Sequence, residues 1–277
     1  MPRLPKVLSF DAFNTLFVPR RPVTQLYTEV ARKHGIDVPE SYIQKQLPII
    51  MKEMKESYPN YGKRSNLRYD DWWATLIANT YSPTEVSKEF VEELVDSFSS
   101  QEAYGTYQDV VDFFRKYGSR QDLIIVASSN GDPRVAKVLE SLGLVKYFQK
   151  VYLSYDLDVS KPDRAFFDSI IDDLRGPFTS RDEMLKNAWH IGDEVKNDLE
   201  GALSAGWNSV LIDRKNDLSQ LEKVLKSHGE EVDLDKIKIN TGLTNTESGD
   251  LPDIAVKLDN KRSITSSFTK LPELLGL

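Results

Sequence analysis

The chain has no cysteine, which excludes disulfides, zinc–thiolate centres and cysteine nucleophiles. Histidine is scarce, with three in the chain; His34 and His228 stand in polar surroundings and only His190 adjoins a motif. No apolar run approaches a membrane span, and the N-terminus enters an apolar strand pattern too early for a secretory h-region. Positive charge is in deficit, 36 basic against 43 acidic residues for a formal net charge of −7. That balance argues against a binder of nucleic-acid backbones, although it leaves room for a local basic patch. These absences predict an intracellular protein, in cytoplasm or nucleus, with neither nucleic acid nor membrane as partner and with its oligomeric state open. What remains, 277 residues of which 40% are hydrophobic, suffices for a large core plus a smaller accessory domain.

Five short apolar runs read as buried strands: Val7 to Phe10, Leu123 to Ala127, Val151 to Leu153, Ala188 to Ile191 and Ser209 to Ile212. Most are separated by helix-like segments, the pattern of an α/β, Rossmann-like, doubly wound parallel sheet. About a hundred residues separate the first two runs, too many for one crossover, and they predict an inserted helical domain. Within it, Val23 to Lys33 and Pro83 to Ser97 carry apolar residues at three- and four-residue spacings. Tyr58 to Gly62 reads as a turn. Trp72 and Trp73 either pack the insert's small core or face a substrate, and large aromatics more often do the former.

After Arg214 the texture changes. Leu218 to Leu225 reads as a short helix and His228 to Asp250 as a polar, flexible insertion. Asp253 to Val256 reads as a returning edge strand, and Leu271 to Leu275 as a segment docking the C-terminus. The expected boundaries are a core of 1–18 and 105–277, with 228–250 as the flexible insertion, and a helical domain of 19–104.

Four strand tips carry candidate chemistry. Asp11 closes the first run, where a carboxylate serves as nucleophile, metal ligand or simple turn cap. The second strand ends in Ser128-Ser129-Asn130-Gly131, small polar groups suited to phosphate oxygens or to ordinary helix capping. Lys161 precedes a proline-started helix in Ser160-Lys161-Pro162-Asp163. The sharpest signal is His190-Ile191-Gly192-Asp193-Glu194-Val195-Lys196-Asn197-Asp198, a strand ending in Gly-Asp with a second aspartate five positions on. Carboxylates gathered beside Asp11 would raise one another's pKa unless a cation joined them, and hard oxygen ligands suit magnesium. His190 reads as structural, since imidazole is an unusual magnesium ligand.

The order Asp, Ser, Lys, Gly-Asp resembles the haloacid dehalogenase superfamily from Val7 to Ile212. The resemblance implies Asp11 as nucleophile, Lys161 as charge stabiliser, Ser129 and Asn130 as substrate-binding groups, and Mg2+ held by Asp11, the main-chain carbonyl of Phe13, Asp193 and Asp198. It also implies that the insert is a helical cap, and Tyr58 to Gly62 with the Trp72-Trp73 pair resemble the cap of one branch of the superfamily. Phosphatases of that superfamily usually carry an acid–base aspartate where this chain has Phe13. Its loss removes help typically worth ~10²- to 10⁴-fold in rate. Asn14 replaces the more usual glycine, and its short amide tolerates unusual backbone angles.

The leading expectation is therefore magnesium-dependent hydrolysis of a small phosphorylated molecule through an aspartyl-phosphate, with weakened acid–base catalysis. Two alternatives stand beside it. One is a non-catalytic ligand- or partner-binding protein. The other is a 2-haloacid dehalogenase, whose halide leaving group needs no proton and whose relatives tend to carry an aromatic at the Phe13 position.

Overall fold

A computed structural model of the chain describes residues 6–175, 180–214 and 255–277. Its centre is a seven-stranded sheet containing β1 (Lys6–Phe10), β4 (Leu123–Ser129), β5 (Lys150–Leu153), β6 (Ala188–Gly192), β7 (Asn208–Ile212), β8 (Ala255–Lys257) and β9 (Arg262–Thr265). The order is β5-β4-β1-β6-β7-β9-β8. Every neighbouring pair is parallel except β8 with β9. All five apolar runs form strands, and β8 is the edge strand expected near Val256. The expectations for 218–225 and 228–250 lie outside the described residues. β9 went unforeseen, because its sequence Arg-Ser-Ile-Thr carries a single strongly apolar residue although all four are buried.

Alternation along β1 explains how the sheet is covered on both faces. Leu8 and Phe10 enter one apolar cluster with Phe113 and Phe114 of α5 (Gln108–Tyr117) and Val138 of α6 (Arg134–Ser141). Val7 points the other way, toward Phe166, Phe167 and Ile170 of α8 (Arg164–Leu174). The chain leaves β1 toward β4 on one side and returns to β6 on the other. The carboxyl end of β1 is thus a topological switch point, the crevice where open α/β sheets bind ligands.

Between β1 and β4 lie four helices, α1 (Val23–Lys33), α2 (Glu40–Ser57), α3 (Tyr69–Tyr81) and α4 (Lys88–Ser97), with their own core that includes Tyr27, Trp72, Leu76, Tyr81, Phe90 and Leu94. The first matches the expected span. The fourth starts five residues later than expected, because Ser87 caps it by accepting a hydrogen bond from the Phe90 N–H. A two-stranded antiparallel ribbon, β2 (Phe17–Pro19) with β3 (Tyr104–Thr106), frames the insert where it leaves and rejoins the sheet domain. Strands of three residues are too short to show as periodicity, so sequence did not announce them.

The segment at 58–65 is a docking loop. Asn60, Tyr61 and Gly62 all have positive φ (50°, 56° and 79°), which turns the chain sharply toward the sheet domain. There Asn60 Nδ2 donates to the Ser154 carbonyl at 3.0 Å, Lys63 Nζ donates to the Tyr155 carbonyl, and Arg64 Nε donates to both Asp158 carboxylate oxygens at 3.0 and 3.1 Å. Among the described residues no helix is long and apolar enough to cross a membrane.

Candidate active site

Asp11 is fixed at the tip of β1 by its own N–H, which donates to the Ile191 carbonyl of β6 at 2.8 Å. The chain then turns at once: Leu16 and Phe17 both donate to the Ala12 carbonyl, at 2.9 and 3.2 Å. Asn14 takes φ 61° in that turn, the left-handed backbone that asparagine tolerates better than most residues.

Lys161 reaches across from the loop before α8. Its ammonium is 3% exposed as a residue and donates to Asp11 Oδ1 at 2.6 Å, Asp198 Oδ1 at 2.7 Å and the Ser128 carbonyl at 3.1 Å. Three partners satisfy all three ammonium donors. Burial alone would pull the lysine pKa down; the two carboxylates overcome it and the net shift is upward. Asn130 clamps the same loop with both ends of its amide, Nδ2 donating to the Lys161 carbonyl and Oδ1 accepting the Lys161 N–H, each at 2.8 Å. The Asn130 side chain therefore positions the lysine, and Ser129, at the end of β4, lines the open space beside Asp11.

Asp198 sits in one turn of π-helix, Val195–Glu200. Its Oδ2 accepts the Glu194 N–H at 2.9 Å, and its Oδ1 is shared between Lys161 and His190 Nε2, the latter at 2.9 Å. Gly192 makes room for it, since a Cβ there would fall 2.2 Å from the Asp198 carboxyl carbon. Burial works to raise this carboxyl, but Lys161 and His190 hold it well below the usual range.

His190 is 0% exposed and continues the network inward, its Nδ1 3.2 Å from Ser9 Oγ, which is 2.7 Å from Ser128 Oγ. A carboxylate can only accept, so Nε2 carries the proton and Nδ1 accepts from Ser9. Burial lowers the imidazole pKa, so the ring is a neutral buttress for Asp198, as expected for a structural residue.

Asp11, Asp193 and Asp198 each place a carboxylate oxygen within 4.8 Å of the others. With one ammonium and a neutral imidazole, three ionised carboxylates leave the cluster two negative charges in excess. The strain is visible in the remaining two acids. Burial pushes Asp11 up to about 8, with Lys161 working against the rise and Asp198 and Asp193 adding to it. Burial, then Asp198 and Glu194, pushes Asp193 up to about 6. The mutual raising expected from sequence thus falls on Asp11 and Asp193, while Asp198 moves the other way because Lys161 and His190 bond to it.

Above this floor is a cavity of about 500 Å³, walled by both the sheet domain and the four-helix insert. Phe13 stands at its side, 42% exposed, with its ring edge-on to Phe17 and Tyr104. The tryptophan pair divides its labour. Trp72 is buried in the helical core with Nε1 donating to the Tyr58 carbonyl at 3.0 Å. Trp73 lines the cavity and crosses to the sheet domain, Nε1 donating to Asp132 Oδ2 at 2.8 Å. Arg134 holds the same Asp132 through Nε and Nη2, at 3.0 and 2.9 Å, and lies over the Trp73 ring at 3.7 Å. Tyr61 adds a bond from its hydroxyl to the Asn130 carbonyl at 3.1 Å. Asp132 and Arg134 were not singled out in the sequence; their position directly after Ser129-Asn130-Gly131 was the available signal.

Over residues 5–206 the sequence matches the haloacid dehalogenase-like hydrolase family. The chain belongs to that family. Among its relatives, Saccharomyces cerevisiae YMR130W is 37% identical over 284 residues, covering 98% of this chain and 93% of that protein. The Bos taurus haloacid dehalogenase-like hydrolase domain-containing protein 3 is 28% identical over 212 residues, covering 75% and 81%. This is the branch that Tyr58 to Gly62 and Trp72-Trp73 resemble. Solved structures agree on the fold: Bacillus subtilis YfnB bound to magnesium (TM-score 0.57, 13% identity, 99% and 100% covered) and a 2-haloacid dehalogenase from Pseudomonas syringae (TM-score 0.60, 16% identity, 99% of both chains).

Proposed function

We propose that this family member is a magnesium-dependent phosphate-monoester hydrolase with Asp11 as nucleophile and with proton transfer to the leaving group left to solvent. The supporting observation is the cluster of buried Asp11 and Asp198 with half-buried Asp193 beside one lysine, which with all three carboxyls ionised carries two excess negative charges, matching the charge of a single Mg2+. The donor set fits a hard dication. Asp11, Asp193 and the Phe13 carbonyl would hold it, with Asp198, already bonded through both oxygens, supporting from behind. Magnesium bound there supplies charge neutralisation for a phosphoryl group.

Lys161 keeps the Asp11 carboxyl aimed at the cavity, and Ser129 stands ready to donate to a phosphoryl oxygen. A carboxylate oxygen of Asp11 bonds to phosphorus as the ester P–O bond breaks, and the leaving oxygen departs with the electron pair and takes a proton from water. Water then attacks phosphorus, the Asp11–phosphorus linkage breaks, phosphate is released and the carboxylate returns. No carboxyl occupies position 13 to assist either proton transfer, so esters of acidic hydroxyl groups are favoured.

Phe13 also motivates a second reading, hydrolytic dehalogenation, in which a carboxylate displaces halide without a proton donor. One assay separates the two. With magnesium, 4-nitrophenyl phosphate should be hydrolysed by the wild type and not by Asp11→Asn. Halide release from 2-chloropropionate in the presence of a chelator, with no phosphatase activity, would overturn the proposal in favour of the second reading. Metal-dependent phosphate binding without turnover of any ester would leave a binding protein.

A further inference from the structure

The cavity does not stop at the catalytic floor but runs into the interior of the four-helix insert. Leu47 and Met51 of α2, Ile77 of α3, Leu94 of α4 and Phe98 just after it form its far wall. Among the described residues its only charged side chain contributed by the insert is Lys55. Apart from Lys55, which is exposed, such a wall offers almost nothing to a sugar hydroxyl or a second phosphate, whose burial without partners is costly, and much to hydrocarbon.

Two tyrosines, Tyr27 and Tyr104, also line the cavity. Tyr27 belongs to the insert's own core and is 3% exposed. Tyr61 and Trp73 direct their polar groups to the sheet domain, to the Asn130 carbonyl and to Asp132.

Building on the hydrolase reading, we infer that the substrate is a phosphate monoester of a phenol or enol with an uncharged, apolar body. That body fills the space inside the helical insert. Two independent features meet in this choice. The wall selects hydrocarbon. The missing acid at position 13 selects a leaving oxygen of low basicity, and a phenol, with a pKa of about 10, leaves unassisted far more readily than an alkanol.

Three aryl esters of similar leaving-group acidity test the cavity apart from the chemistry: phenyl, 4-tert-butylphenyl and 3-carboxyphenyl phosphate, with glycerol 3-phosphate as the polar alkyl reference. The full chain with magnesium should prefer the tert-butyl ester to the carboxylated one by on the order of ten- to a hundredfold in kcat/KM, with glycerol 3-phosphate below both. Met51→Gln, and independently Leu47→Gln, should narrow that preference in protein whose thermal unfolding shows it folded. Equal kcat/KM for the three aryl esters, or an unchanged preference in both variants, would overturn the inference. Titration of Asp11→Asn with magnesium and inorganic phosphate distinguishes the levels of failure. If phosphate binds but 4-tert-butylphenyl phosphate binds no tighter, the substrate class is wrong and the hydrolase reading stands. If neither binds, and the wild type with magnesium binds no inorganic phosphate either, the hydrolase reading itself fails.

Discussion

Replacing Asp193 by asparagine should stabilise the metal-free protein, although Asp193 is proposed as a magnesium ligand. Its carboxyl is pushed from 3.8 to about 6 in the fold, first by burial and then by Asp198 and Glu194. A carboxyl with a raised folded pKa binds more protons folded than unfolded, so it lowers stability progressively as pH rises through that window and by a constant amount above it. At about 1.4 kcal/mol per unit, the full shift is about 3 kcal/mol. Asp193 is only half-buried, and solvent screening reduces this to about 1–2 kcal/mol. Asparagine keeps an oxygen for the Thr15 hydroxyl, which donates to Asp193 Oδ1 at 3.3 Å, and carries no charge. For a chain of this size that is about 2–8 °C in Tm. Calorimetry in chelator should show wild type and variant nearly equal at pH 4, a gap opening to pH 6, and the same gap at pH 8. Magnesium at a hundred times its dissociation constant for the wild type should then stabilise the wild type by about 2.7 kcal/mol and the variant by less. A variant less stable than wild type in chelator, or a gap independent of pH, would refute the reasoning that like charge strains this site.

Phe13→Asp should raise turnover of alkyl phosphates more than of aryl phosphates, by up to ~10²- to 10⁴-fold; steady-state kinetics on one ester of each kind checks it, and equal gains would mean that the acid step is not what Phe13 removes. Gly192→Ala should displace Asp198, because the new Cβ would meet its carboxyl carbon at 2.2 Å; chemical denaturation should show a loss of about 1–3 kcal/mol, together with weaker magnesium binding. Trp73→Phe should raise KM more than it lowers kcat and cost only about 1 kcal/mol of stability, since Asp132 keeps its bonds from Arg134 while the insert loses a tie to the sheet domain.

The central sheet was legible because strands buried on both faces leave short apolar runs, and the loops that follow them carry Asp11, Ser129, Lys161 and Asp193 to one crevice. Neither β9 nor the β2–β3 ribbon was legible, the first because its residues are mostly polar and the second because three residues make no period. The residues that meet in this crevice could be picked out from the chain, but their contacts there could not. Asn130 reads as a ligand-binding amide and proves to have both ends on the Lys161 main chain. Asp198 reads as a metal-side acid and proves to be bonded by Lys161, His190 and the Glu194 N–H. Such assignments depend on contacts between residues far apart in sequence. The same holds for Trp73, whose neighbour Trp72 has the same composition and local pattern and a wholly different environment.

The most direct measurement of the central claim is fluorine NMR of the protein with magnesium and beryllium fluoride, which mimics the phosphoryl group on an aspartate. The account predicts a bound beryllofluoride signal that requires magnesium, is present in the wild type and is lost in Asp11→Asn. A wild-type protein that binds magnesium and shows no such signal, or a signal that survives in Asp11→Asn, would contradict Asp11 as the phosphoryl acceptor.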